Sequence, residues 1–139
     1  GVLAEILVFQ FQRHFFAWFS VATIWRLSYA VTALRFALIS ISEGGLLILL
    51  LAQAMHAVTF GLHHSASVAL VRQWFPQAAQ ARGQALYTMA AYGLGGSLGG
   101  IAAGSLWEAF VPEAAFWAAA LAALAGLAVS GWVIRHAKH

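Results

Sequence analysis

Residues 46–74 read LLILLLAQAMHAVTFGLHHSASVALVRQW, and no Asp, Glu, Lys or Arg interrupts them before Arg72. A helix that crosses a bilayer needs about 20 mostly apolar residues. This stretch supplies them, and Pro76 stands just beyond its end to stop the helix. Upstream, Glu43-Gly44-Gly45 closes a helix expected from about Arg26 to Ser42. Before it, an apolar stretch from Gly1 to about Phe11 stops at Arg13-His14 and is too short to span alone. It reads as the second half of a helix. Between the two lies an aromatic-rich connection, whose Trp18 and Trp25 suit the membrane interface. Downstream, Gln77 to Gln84 is the most polar stretch. A fourth helix is expected from about Ala85 to Phe110, before Pro112, and a fifth from Ala114 to Ile134. Arg135-His136-Ala137-Lys138-His139 forms a basic tail.

The composition supports this division. Of 139 residues, 63% are hydrophobic and 8% charged, and the mean hydropathy is +0.83. Soluble domains are about 45–50% apolar and about 25% charged, and a small globule cannot hide so much apolar surface from water. The expected fold class is an all-α membrane protein. The net charge of +3 is scattered and forms no basic stripe, so no nucleic-acid partner is expected. Cysteine is absent, which excludes disulfides and thiolate metal sites. The chain begins at Gly1, with no methionine and no signal-peptide pattern. Residues 1–139 are therefore expected to be one partial helix bundle whose upstream part is missing.

If successive helices alternate direction, Arg13, Arg26, Arg72, Arg82, Arg135 and Lys138 share one side, and Glu43, Glu108 and Glu113 the other. Positive charge stays on the cytoplasmic side, so the C-terminus is expected there, in a multi-pass protein of the inner (plasma) membrane.

Arg35 is the one cation outside the connections and the tail. Nine positions after Arg26 place it about 14 Å along the helix, near the middle of a core about 30 Å thick. Glu5, eight positions before Arg13, lies about 12 Å from the same face. A charge at that depth costs at least about 2.5–3.5 kcal/mol and faces a partner or a watery cavity. Glu5 and Arg35 are expected to pair, or to line one cavity; a static pair locking two helices is the alternative. On the third helix, Gln53, His56, Phe60 and His63 are spaced by three, four and three, which puts them on one face. His64 points about 80° away. The titratable stripe reads as a cavity lining able to relay protons or hydrogen-bond a solute. The alternative is a set of histidines bonded to neighbouring backbone or hydroxyl groups. With the buried histidines on one helix and no acid beside them, no haem, metal or other cofactor is expected.

Gly95-Gly96-Ser97-Leu98-Gly99 matches the G-x-S-x-G of hydrolases, which activates serine only at a sharp strand-to-helix turn. Here it lies in a long apolar helix. The glycines also recur at fours (Gly95 and Gly99; Gly96, Gly100 and Gly104), a spacing for close helix packing. No catalytic residue and no enzyme activity are expected. Tyr87 and Tyr92 are expected to pack as aromatics.

The stretch His63–Glu108, HHSASVALVRQWFPQAAQARGQALYTMAAYGLGGSLGGIAAGSLWE, resembles the last helices of the major facilitator superfamily. GVLAEILVF at the opening, TALRFAL around Arg35 and AQAMHAVTFGLHH around His56 are similar too. Together they cover nearly the whole chain. The resemblance is closest to the phenylpropionate-permease-like and nucleoside-permease-like branch, related to lactose permease. It implies that the five segments are helices eight to twelve of a twelve-helix transporter with a cytoplasmic C-terminus. In the lactose-permease relatives a glutamate on helix eight, an arginine on helix nine and a histidine on helix ten line the central cavity. Glu5, Arg35 and His56 are the matching types. Thr59 stands where those relatives carry a proton-coupling glutamate, so Glu5 or His63 would carry the proton, or the coupling differs. The expected function is proton-coupled symport of a small organic solute (an aromatic acid, nucleoside or sugar) by alternating access. The partners are then that solute, protons, lipid and the missing N-terminal half. A membrane redox or metal-binding subunit using the histidines is the alternative.

Overall fold

The computed structural model describes residues 2–136, without the side chains of residues 2–5, 7 and 9. Five helical rods follow one another, and no strand occurs among the described residues. The first, α1, covers Val2–Trp18, and α2 covers Val21–Ser40. The third, α3, covers Leu46–Trp74 and holds a π-helical stretch, Ala57–Leu62, between two α-helical parts. The fourth, α4, covers residues 80–109, comes after a short 3₁₀ turn and holds its own π-helical stretch, Met89–Leu94. The last, α5, covers Pro112–His136.

The last helix is two residues longer at each end than the expected Ala114–Ile134, and three other boundaries differ more. Helix α1 runs past Arg13-His14 to Trp18, because nothing there breaks a helix and both side chains can extend into solvent near its end. Helix α2 starts at Val21, not Arg26: the Ser20 side chain accepts from the Thr23 amide at 3.1 Å and caps it. The aromatic-rich connection thus shrinks to Phe19-Ser20. The polar run before Ala85 is helical too. Its glutamines return hydrogen bonds to α3, Gln80 Nε2 to the Arg72 carbonyl at 3.3 Å and Gln84 Nε2 to the Val68 carbonyl at 3.1 Å.

Two rods, α3 and α5, are long and apolar enough to cross a membrane by length and composition alone. Helices α2 and α4 carry arginines and glycines respectively, which lower their hydropathy without shortening them. The packing is inverted relative to a water-soluble bundle. Ser28 and Ser130, each 1% exposed, are the largest fully buried side chains, while Leu47 is 81% exposed. Leu46, Leu50, Leu98, Ile101, Leu121 and Val129 also face outward. Lipid tails are as apolar as leucine, so helices associate through small residues, close approach and hydrogen bonds.

The most extensive contact joins α2 and α5. It depends on Gly126: a Cβ there would stand 2.5 Å from Cε1 of Tyr29. Apart from Gly83, where a Cβ would stand 2.7 Å from the Phe75 ring, most glycines of α4 behave otherwise. A Cβ on Gly96, Gly99, Gly100 or Gly104 would meet nothing within 4 Å. The spacing of the α4 glycines predicts close approach there; among the described residues no helix meets a Cβ on Gly96, Gly99, Gly100 or Gly104, and the close helix–helix approach is at Gly126 of α5. Gly126→Ala is therefore expected to destabilise the bundle by about 1–3 kcal/mol through overpacking. Gly100→Ala should leave it unchanged or slightly firmer. Thermal unfolding of the two variants in detergent checks the difference.

Candidate functional site

Helix α2 presents its working residues to α3 at intervals set by the helical repeat. Trp25, Ser28 and Arg35 are spaced by three and seven, which aligns them on one face. Trp25 Nε1 donates to Ser67 Oγ at 3.1 Å. It is turned into the bundle, whereas Trp18, the other expected interfacial residue, is 78% exposed. Ser28 Oγ lies 2.7 Å from the Trp25 carbonyl and 2.8 Å from His63 Nδ1. A serine hydroxyl has one proton. It goes to the carbonyl, so Nδ1 of His63 donates to Ser28. Tyr29 packs edge-on against His63 with centroids 4.8 Å apart, and Trp25 stacks on it at 6.4 Å.

Arg35 is half-buried. Its Nε donates to the Ala52 carbonyl at 3.1 Å, and its guanidinium lies 5.0 Å from the Phe36 ring centroid. Ala52 is one turn before His56, so the cation sits beside the part of α3 that carries the first imidazole. The His56 ring stacks on Phe60 at 5.6 Å with an interplanar angle of 17°. Phe60 meets Tyr92 of α4 edge-on at 6.4 Å. Tyr92 Oη is 2.9 Å from His64 Nδ1, and Tyr87 packs against both His64 and Tyr92. Thr59 donates its hydroxyl to the His56 carbonyl at 3.1 Å.

The residues named from sequence therefore fall in separate places. Arg35 and His56 share one level of the α2–α3 contact. His56 and Phe60 form a stack reaching toward α4. His63 leaves that face and turns to α2, because the π-helical stretch Ala57–Leu62 inserts extra backbone between them. One inserted residue rotates the downstream side chains by about 100°. His63 is thus bonded to a neighbouring hydroxyl and at the same time lines the cleft between α2, α3, α4 and α5. Gln53 is exposed. The Glu5 side chain lies outside the described residues, and so does Lys138. Helix α1 packs against the π-helical stretch of α3 and is tied there by Ser65 Oγ donating to Gln12 Oε1 at 2.8 Å. Sequence reasoning places His64 off the stripe and expects Tyr87 and Tyr92 to pack as aromatics, with contact to a solute as the alternative, and the aromatic packing is what the structure shows. The structure joins all three to the Phe60 stack. A one-residue shift in the helical repeat is the only signal for His64, and no residue type announces it.

A cleft of about 490 Å³ opens between α2, α3, α4 and α5. Tyr29, Thr32, Thr59 and His63 form its polar end, and alanines of α4 and α5 line most of the rest. Among the described residues no three His, Asp or Glu side chains gather as metal ligands. The G-x-S-x-G segment is regular α-helix, not a strand-to-helix turn.

Two rods long and apolar enough to cross a bilayer, in a bundle that holds a cation and imidazoles between its helices, point to a membrane protein. A family model described as MFS_1 like family matches residues 1–118, so the chain belongs to that family, part of the major facilitator superfamily of transporters. No curated protein and no solved structure matches it.

Ser28→Ala removes the partner of His63 Nδ1 and leaves a polar group without its bond. It should cost about 1–3 kcal/mol. Thermal unfolding followed by Trp25-sensitive fluorescence reads that loss, and Ser28→Thr, which keeps the hydroxyl, should restore part of it.

Proposed function

We propose that the protein is a secondary active transporter that couples uptake of a small organic solute to protons. The observation that carries this reading is the band of Arg35, His56, Phe60, His64 and Tyr92 inside otherwise apolar helices. Ionisable groups within membrane helices are expensive and mark solute or proton pathways. Membership in a transporter family gives the class. In this reading Glu5 is the proton-responsive acid. Arg35 is its counter-charge or the anchor for an anionic solute. Gln53, His56 and His63 are hydrogen-bonding groups, and Phe60 offers its ring face. Stacked rings beside a guanidinium suit a planar solute with a polar or anionic edge, such as an aromatic acid or a nucleoside; a sugar would use the hydrogen-bonding groups.

The chain acts as helices eight to twelve of a twelve-helix bundle that alternates access around a midplane site. The uncovered face of α4 supports this. Gly96, Gly99, Gly100 and Gly104 have open space beside them, and residues 88–105 are exposed throughout, as a helix would be that packs against further helices of the same transporter. Orientation follows from charge. Arg13, Arg26, Arg72, Arg82 and Arg135 gather at the end where α1, α3 and α5 finish, and Glu43, Glu108 and Glu113 at the other. The basic end is assigned to the cytoplasm, in the inner membrane.

The test uses the intact gene product in proteoliposomes with an imposed proton gradient. Arg35→Ala and Glu5→Gln should each reduce gradient-driven uptake by roughly 10- to 100-fold, the worth of a charge-assisted hydrogen bond. His56→Ala should reduce it less. If both charge variants transport at the unmodified rate, the site assignment fails.

A further inference from the structure

A second concave feature lies away from this band, at the basic end of the α2–α5 seam. It is a groove of about 450 Å³ lined by Arg26 of α2 and by Leu124, Leu127, Gly131, Ile134 and Arg135 of α5, with Ala128 between them. Gly131 makes room for the first cation. A Cβ built there would be 3.6 Å from Nη2 and 3.8 Å from Cζ of Arg26, so the guanidinium lies across the glycine backbone. Arg135, one turn further along α5, brings a second guanidinium to the same groove. Among the described residues no carboxylate lines it. Glu43, Glu108 and Glu113 all stand at the opposite end of the bundle. Two like charges have thus been brought together with no described anion to answer them. From Ile134 inward to Leu124 the floor is apolar for ten residues, about 15 Å of helix. Trp132, exposed beside the groove, sets this end of α5 at the level of the interfacial belt.

We infer that this groove binds an anionic phospholipid. The phosphodiester sits between Arg26 and Arg135, where guanidinium forks can hold its oxygens, and an acyl chain lies over Leu127, Ala128 and Leu124. Charge complementarity selects the occupant. Basic pockets between membrane helices on the side that carries the cations recruit acidic headgroups, and the apolar floor adds a chain-binding element that a free anion cannot use.

Native mass spectrometry of the intact gene product released from nanodiscs of mixed phosphatidylglycerol and phosphatidylcholine tests the site. The unmodified protein should retain phosphatidylglycerol preferentially. Arg26→Gln and Arg135→Gln should each lower that preference about fivefold, and the double variant about 25-fold. Arg26→Lys should retain most of it, which separates loss of charge from loss of fold. Arg72→Gln and Arg82→Gln remove cations from the same end but outside the groove, and should change nothing. Equal retention of the two lipids by the unmodified protein, or an equal loss in the two control variants, overturns the proposal. Displacement of the lipid by excess inorganic phosphate also overturns it, because the groove would then be an anion site with no use for the chain.

Discussion

The bundle is organised by what α2 can touch on its two sides. Toward α3 it offers Ser28, whose hydroxyl joins the Trp25 carbonyl and the His63 ring in one short chain of hydrogen bonds. Toward α5 it offers Tyr29, whose ring fits only because residue 126 is glycine. In a bilayer there is no water to drive apolar faces together, and association rests on such contacts. An apolar side chain in place of Ser28 would leave an imidazole nitrogen without its bond. A larger residue in place of Gly126 would drive α5 off the seam. Arg35, two turns beyond Ser28 on the same face, is held by the same contact and reaches the Ala52 carbonyl. The position of the guanidinium is thus set by the packing of α2 on α3.

Much of this is legible in the residues. The end of α3 at Trp74, before Pro76, and the turn at Glu43-Gly44 follow from local chemistry; Glu43 and Gly44 both have positive φ, which glycine accepts at no steric cost. The separation of basic and acidic ends follows from counting charges per connection. The boundary between α1 and α2 is harder, because Arg13-His14 looks like a stop in an apolar run. Long cationic side chains can leave a helix without ending it, and the true marker is Ser20, an N-cap with Thr23 three residues on. The glycine motif draws attention to α4 because its spacing there is regular. The contacts that need glycine use isolated residues, Gly126 against Tyr29 and Gly83 against Phe75, and an isolated glycine carries no periodicity to notice.

The histidine stripe shows a deeper limit. Reading residues 53, 56, 60 and 63 as one face assumes an unbroken 3.6-residue repeat. The π-helical stretch Ala57–Leu62 breaks it in the middle of that set. His63 is carried round to α2, and His64 takes a place beside Tyr92. Nothing in the composition of AVTFGL requires a π-helix, so the shift comes from tertiary packing, with α1 pressed on this stretch from one side and α2 from the other.

A second π-helical stretch, Met89–Leu94, contains Tyr92, and the two irregular segments meet through Phe60 and Tyr92. π-Helical insertions weaken the local hydrogen-bond ladder and recur at functional sites. Two of them in contact, on rods that are otherwise regular, place the softest backbone of both helices at one level. That level also holds the imidazoles. At the end where α3 hands over to α4, the two rods are tied together by Gln80 and Gln84. The same irregularity that separates His63 from His56 divides the labour. One ring is tied to the frame through Ser28, and the other stacks on the aromatic contact with α4. A uniform α-helix would have placed both rings on one face.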